Sequence, residues 1–239
     1  MIATICPVKL YKIENKIINY DKIVYINTLL AIFLMSASQM TTDPSQTIET
    51  GIPGVTLGRL LHPDDAQYYF DLLLQGQWSN ELERLTQQFY YTYSYTRGAP
   101  SRGPVAPQYI QDLTTRIFDT GVWSSRPSQI IVNHYEPGQG ISPHVDDVRF
   151  FQDEISTLSL GSGIVMEFRQ TVAPFRRVDC YLPVGYMLIM RDEARYQWTH
   201  GIAKRKSDVI DGVRVARGTR ISITWRSLLP SYKAAIDGQ

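Results

Sequence analysis

The stretch NHYEPGQGISPHVDDVRF (Asn133–Phe150) sets a polar strand end, a glycine-rich turn and a histidine two places before an aspartate within one short segment. In a strand of period two, Asn133 and Tyr135 share one face, while Ile130, Val132 and His134 take the other. Pro137-Gly138-Gln139-Gly140 then turns the chain, and an extended segment beyond it carries His144 and Asp146 on the same side. An imidazole beside a carboxylate makes two ligands for a borderline divalent metal. An H-x-D triplet alone is weak, because it arises often by chance and a lone strand histidine is usually packed.

The four histidines stand at 62, 134, 144 and 200. His62 precedes a helical pattern and His134 faces away from Asn133, so His200 in QWTHGI is the natural third ligand. Two His and one carboxylate leave coordination positions open, the arrangement of non-haem Fe(II) oxygenases. A late strand, RISITWR, places Arg220, Ser222, Thr224 and Arg226 on one face and Ile221, Ile223 and Trp225 on the other. It reads either as a half-buried strand with its polar face in water or as one with that face turned into a barrel. Turned inward, two guanidiniums and two hydroxyls would grip a dicarboxylate.

Outward from these strands, HPDDAQYYFDLLL has Pro63 and acids at a helix start, with Ala66, Tyr69, Phe70 and Leu73 on one face. Tyr109, Ile110, Leu113 and Ile117 mark a second amphipathic helix, and QQFYYTYSYT is β-prone. From Gln129 onward come the short strands SQIIVNHY, EISTLSLG, GIVMEFR, RVDCYL, GYMLIMR, QWTHGI and TRISITWR between Gly, Pro and Asp turns. Strands in this number with helices at the front predict an α+β, mainly β chain, its core a closed or double-sheet architecture with N-terminal helical support.

The 239 residues suit one core with decoration. A net charge of +1 gives no global field toward nucleic acid or an anionic membrane, so such binding needs a local patch. Residues 1–39 differ from the rest, with a net charge of +2 and the 13-residue apolar run Ile23–Met35, which is too short to span a bilayer. The run resembles a signal-peptide core. Against export, Cys6 and Cys180 are the only cysteines, and cleavage would leave one thiol. We therefore expect 1–39 to be a dispensable leader outside the fold, 40–128 an N-terminal helical and lid-like region, 129–230 the core, and 231–239 a tail.

The series N-x-Y-x-x-G, H-x-D, a distant His and R-x-x-x-T-x-R resembles the AlkB-type 2-oxoglutarate and Fe(II)-dependent oxygenases from about Gly51 to Leu228. YEPGQGI, DEISTLSLGSGIVMEF and RYQWTHGI are most similar to the AlkB domain that animals join to a tRNA wobble-uridine methyltransferase. The resemblance implies a double-stranded β-helix, or jelly roll, with His144, Asp146 and His200 on Fe(II). It implies Asn133 and Tyr135 hydrogen-bonded to 2-oxoglutarate, Arg220 paired with its distal carboxylate, and Ser222, Thr224 and Arg226 completing or supporting the pocket. Ser222 departs from the Asn that family members often carry there. O2 would be the second co-substrate, with succinate and CO2 as products beside a hydroxylated or demethylated substrate.

Substrate contacts are expected before the barrel, where Arg84, Phe89, Tyr90, Tyr93, Arg97 and Arg102 combine aromatic surfaces with cations suited to bases and phosphates. Asp147 reads either as a base-edge contact or as a turn cap. Lys204, Arg205, Lys206 and the Arg176-Arg177 pair are further basic candidates or solvated turns. The resulting expectation is hydroxylation or oxidative demethylation of nucleic acid, either modified tRNA uridine or N-methylated bases, by a monomer of the nucleus or cytoplasm with no membrane partner. A protein hydroxylase or demethylase acting on a basic partner such as a histone tail is the alternative, which Asp147, Asp153 and Glu154 would suit. A non-catalytic interaction protein is the remaining class.

A chain beginning at Met40 is expected to fold and retain activity. Loss of soluble protein on that truncation, read by size-exclusion chromatography and circular dichroism, would show that the leader packs on the domain.

Overall fold

The computed structural model describes residues 12–13, 16–17, 47–94 and 98–238. The chain divides into two units, 1–40 and 41–239. In the first, β1 (Lys12–Ile13) and β2 (Lys16–Ile17) pair antiparallel. The signal-like run Ile23–Met35 lies outside the described residues, as does Cys6.

The second unit is a jelly roll. A seven-stranded sheet has the order β3 (Thr47–Ile48), β4 (Val55–Arg59), β13 (Tyr186–Met190), β10 (Phe151–Leu160), β17 (Arg220–Leu228), β8 (Gln129–Tyr135) and β5 (Leu85–Phe89). Facing it, a four-stranded sheet runs β12 (Arg177–Leu182), β11 (Ile164–Gln170), β14 (Trp198–Ile202), β9 (Ile141–His144). Consecutive strands from β8 to β11 step between the sheets, so their pairings are antiparallel and made with strands distant in sequence, while β11 and β12 pair as a hairpin. The strands expected from alternation are all present. Phe168, Trp198, Leu182, Leu188, Ile155 and Cys180 fill the space between the sheets, with full burial of each large apolar side chain contributing about 1.5–3 kcal/mol. Burial also pushes the Cys180 thiol up to about 11, which keeps it protonated in this core.

The outer face of the large sheet is covered by helices. In α1 (Pro63–Leu74), Pro63 opens the first turn and Asp64 and Asp65 oppose the helix dipole, while Ala66, Tyr69 and Leu73 are buried. In α2 (Gln108–Asp119) the buried set is Ile110, Leu113, Thr114 and Ile117. The apolar face of β17 meets this layer, and the Trp225 indole N–H donates to Thr114 Oγ1 at 3.0 Å. By the period of the strand, Arg220, Ser222, Thr224 and Arg226 therefore face the interior between the sheets.

Three features depart from the sequence reading. QQFYYTYSYT is not one strand: it breaks at Tyr90, whose φ is 64°, between β5 and β6 (Tyr91–Ser94), and β6 pairs with β7 (Ala99–Arg102) as a separate hairpin. A second hairpin, β15 (Ser207–Ile210) and β16 (Val213–Ala216), closes through Asp211 and Gly212, both with positive φ as a two-residue hairpin turn demands. The segment taken as a tail holds a helix. After the short α3 (Asp192–Tyr196), the chain ends its described part in α4 (Pro230–Asp237). No described helix is long and apolar enough to cross a membrane.

The β15 strand is fixed by a buried ion cluster. Asp208 accepts from Arg217 through Nε at 2.7 Å and Nη2 at 2.8 Å, from Arg205 Nε at 2.7 Å and from the Val165 N–H at 3.2 Å. Burial raises the cost of its charge, but Arg217, Arg205 and the amide outweigh it and lower its pKa. Removing one partner of such a pair costs about 3–5 kcal/mol, because the other charge is left buried. Asp208→Ala is expected to lower the urea midpoint accordingly. Since the folded-state pKa is depressed, the contribution is complete above the unfolded aspartate value of about 4 and is lost as pH falls. The gap between wild type and Asp208→Asn in urea melts should thus close below about pH 4; a gap independent of pH would contradict the ionised pair.

Candidate active site

Pairing of β9 with β14 brings His144 opposite His200 in register, with ring centroids 4.4 Å apart. Asp146 follows β9 directly, and its Oδ2 lies 3.4 Å from His200 Nε2. One ligand atom from each of His144, Asp146 and His200 falls within 4.8 Å of the others. A sequence separation that said nothing about distance is closed by one cross-strand pair.

The electrostatics favour a cation among these atoms. Burial pulls the His200 imidazole down to about 4, so it is neutral at pH 7 with a lone pair to donate. Burial alone would push the Asp146 carboxyl up; the adjacent Arg226 guanidinium, with His200, His144 and Arg195, reverses this and holds it well below the usual carboxylate range. Arg226 contacts Asp146 Oδ1 through Nη1 and is itself aimed by Gln129, whose Oε1 accepts from Nε at 2.8 Å. Two imidazoles and one ionised carboxylate form the donor set that suits Fe(II) while leaving positions open. His144 is set from the other side, its Nδ1 standing 2.9 Å from the Ser142 carbonyl.

Beside the triad lies a cavity of about 80 Å³ that includes Asn133, Tyr135, Arg220, Ser222, Thr224 and Arg226 in its walls, together with apolar Ile131, Ile155, Met166, Leu188 and Met190. Cross-strand register explains the grouping, since Arg220 pairs with Tyr135 and Ser222 with Asn133. Arg220 is 2% exposed, donates to Ser159 Oγ at 2.9 Å and lies 5.5 Å from the Tyr135 ring centroid. Its Nε has no hydrogen-bond partner, and no carboxylate among the described residues forms a salt bridge with it. Burial lowers its pKa to about 10, so the guanidinium stays charged at pH 7. A buried cation with an orphaned donor fits an anionic ligand in this cavity. Arg226 differs, being committed to Asp146.

The substrate candidates separate. Arg84 and Tyr93 line a larger cleft of about 630 Å³ that opens on His144 and Asp146. Arg84 also reaches the smaller cavity, where its Nε donates to Asn133 Oδ1 at 2.8 Å. Asp147 lies in the cleft wall, with its carboxylate held by Arg149. Phe89, expected as a stacking surface, is buried in β5, and Tyr90 sits at the strand break. Arg102 turns away to Asp237, at 2.9 Å. Arg97 lies outside the described residues. Of the basic run, Lys204 crosses to Glu83 at the cleft mouth, Arg205 is consumed by Asp208, and Lys206 is exposed. Arg177 pairs with Asp179, and Arg176 donates to the Gly51 carbonyl at 3.0 Å.

One residue was not singled out by sequence. Arg195, 2% exposed on α3, donates to three backbone carbonyls, Asp146 at 2.8 Å, Gln152 at 3.1 Å and Phe151 at 3.3 Å. It staples both ends of the loop that begins with Asp146. Nothing in the polar string RDEARYQ marks an arginine as buried.

Comparison with known proteins agrees with this geometry. The model of the 2OG-Fe(II) oxygenase superfamily matches residues 70–226. Uncharacterized protein L905 of Acanthamoeba polyphaga mimivirus is 36% identical over 171 residues, covering 70% of this chain and 80% of that protein. The tRNA (carboxymethyluridine(34)-5-O)-methyltransferase alkbh8 of Xenopus tropicalis is 36% identical over 165 residues, 61% of this chain but only 26% of that protein, so the chain spans about a quarter of that relative's length. The solved structure of OsALKBH1 superposes with a TM-score of 0.57 over 76% of this chain and 99% of that one, at 14% identity, a likeness of fold. With the family model across most of the chain and a relative matched over most of its length, the chain belongs to the 2OG-Fe(II) oxygenase superfamily and is an AlkB-like, 2-oxoglutarate-dependent dioxygenase.

Proposed function

We propose that the protein oxidises nucleic acid, with a modified tRNA uridine as first choice and N-methylated bases as the other chemistry. The observation that carries this reading is the cleft in which His144 and Asp146 stand together with Arg84, Lys204 and the Tyr93 ring: cations for phosphate and an aromatic face for a base, beside two members of the metal-ligand triad. The match to a tRNA methyltransferase supports the tRNA alternative.

His144, Asp146 and His200 would hold Fe(II), and Arg220, Tyr135, Asn133, Ser222 and Thr224 would hold 2-oxoglutarate. Bound there, the metal supplies the redox chemistry that couples O2 to oxidative decarboxylation of the keto acid and hydroxylation of a C–H bond. The protein's part is positional. Arg226 keeps Asp146 ionised and occupies Oδ1, so that Oδ2 faces the histidines. Arg220 neutralises the distal carboxylate of the co-substrate, and Leu188, Met190, Met166 and Ile155 keep the cavity dry. Hydroxylation of an N-methyl group would release formaldehyde, whereas hydroxylation of a carbon substituent would leave the hydroxyl in place. The acids that would suit a basic peptide are otherwise engaged: Asp147 with Arg149, Glu154 with Arg191 and Ser124, and Asp153 with the Asp192 N–H.

The test is incubation of the purified protein with Fe(II), 2-oxoglutarate and O2 against tRNA, methylated oligonucleotides and histone peptides, with nucleoside and peptide masses followed. Nucleic acid gaining one oxygen or losing a methyl is expected; oxidation of histone peptides alone would contradict the proposal. Two sets of variants probe the site. His200→Ala should abolish turnover and Mn(II) binding with a melting temperature near wild type, whereas Asp146→Asn and Asp146→Ala should abolish both and also strand the buried Arg226 charge, at a cost of up to about 3–5 kcal/mol. Retained Mn(II) affinity in His200→Ala would remove it from the ligand set. Arg220→Ala should weaken 2-oxoglutarate binding in calorimetry by about 10- to 100-fold, as loss of charge-assisted hydrogen bonds of about 1.5–3 kcal/mol requires. Unchanged affinity would mean that the polar face of β17 does not receive the co-substrate.

A further inference from the structure

We propose that Asp237 on α4 is a positioning residue that clamps the β6–β7 hairpin onto the loop after Asp146, and thereby fixes Tyr93 as a wall of the substrate cleft. The proposal rests on the reading of that cleft given above, though not on which nucleic acid enters it.

Tyr91 and Arg102 are cross-strand partners on the hairpin, one on each strand. Both are bound by one carboxylate: Asp237 Oδ1 accepts from the Tyr91 hydroxyl at 2.5 Å and from Arg102 Nη2 at 2.9 Å. Its second oxygen accepts from Lys233 Nζ, one turn earlier on the same helix, at 3.0 Å. Asp237 thus grips both strands of the hairpin at once and is held toward them by its own helix.

The same helix is tied to the metal-bearing loop. The Leu229 N–H just before it donates to the Phe150 carbonyl at 2.8 Å, and the Tyr232 ring meets Phe150 edge-on at 4.7 Å. Phe150 and Phe151 in turn flank Tyr93, with centroids 6.2 Å and 6.3 Å away. Tyr91, Phe150, Phe151 and Leu228 form one small buried cluster, with Tyr93 and Ile236 packed on its edge. Hairpin, loop and helix therefore meet in one cluster, and Tyr93, with Phe151 beside it, also lines the cleft next to His144 and Asp146.

An eight-residue helix with no fully buried side chain has little stability of its own. It stays in place through these few attachments, and Asp237 is the carboxylate that joins it to both hairpin strands at once. A two-stranded hairpin is itself marginal without support. Loss of the carboxylate should release the hairpin and leave the jelly roll intact.

The experiment compares wild type with Asp237→Ala and Asp237→Glu, full chains throughout. Backbone hydrogen exchange over 91–102 should accelerate by about tenfold in Asp237→Ala, while β8 and β17 keep their protection. In the same variant 2-oxoglutarate decarboxylation without substrate should be unchanged and the KM for substrate should rise by about fivefold or more, the pattern of lost binding rather than lost chemistry. Asp237→Glu should recover part of both effects. Unaltered exchange over the hairpin would overturn the clamp, and so would faster exchange with an unchanged KM. Failure of the nucleic-acid reading shows instead in the wild-type substrate panel, and the clamp is then judged on whichever panel member the wild type oxidises.

Discussion

Two buried guanidiniums on one strand govern the site. Arg220 and Arg226 point from β17 into the space between the sheets, where a charge without a partner is costly. Arg226 is met by Asp146, and so holds the chain just past β9 at a fixed place under the small cavity. Arg220 is met by one hydroxyl and an aromatic ring, and its charge fits an acid brought from solution. The strand that closes the jelly roll therefore has two different duties at its two ends, one toward a protein carboxylate and one toward a ligand.

The rest of the site follows from that division. Because Arg226 keeps Asp146 ionised and oriented, the cross-strand histidines need only be neutral to complete a donor set, and burial of His200 secures this for one of them. Because Arg195 holds the carbonyls at both ends of the following loop, the position of Asp146 is coupled to that of Phe151, and through Phe151 to Tyr93. The triad, the small cavity and the larger cleft share walls, so that under the proposed clamp a change at α4 reaches the cleft without touching the triad. The family membership and the geometry are independent arguments for the same chemistry; the substrate rests on the cleft and on a relative of which this chain covers about a quarter.

Much of this was legible in the chain because alternation in a strand is a local code. The faces of β8 and β17 follow from period two alone, and H-x-D beyond a Pro-Gly turn puts two ligands on one side before any tertiary contact is known. What sequence could not supply was pairing. Arg102 has the composition of a phosphate contact and is taken by Asp237, more than a hundred residues away. Arg205 looks solvated and is consumed by Asp208. Phe89 looks like a stacking face until β5 joins the large sheet beside β8 and buries it. Asp211-Gly212 does carry a local signal for the β15–β16 hairpin, since this dipeptide favours the turn found there. Arg195 is the opposite case, a buried arginine on a five-residue helix in a mostly polar stretch, whose partners are backbone carbonyls of Asp146 and of the start of β10.

The central claim is that one pocket holds both the metal and the keto acid. The most direct test is anaerobic titration of the Fe(II)-loaded protein with 2-oxoglutarate, followed by the visible charge-transfer absorbance that appears when the keto acid binds to the iron. The account predicts a saturating absorbance at one equivalent, displaced to much higher concentration in Arg220→Ala and absent in His200→Ala. An absorbance that persists in His200→Ala, or that titrates identically in Arg220→Ala, would contradict it.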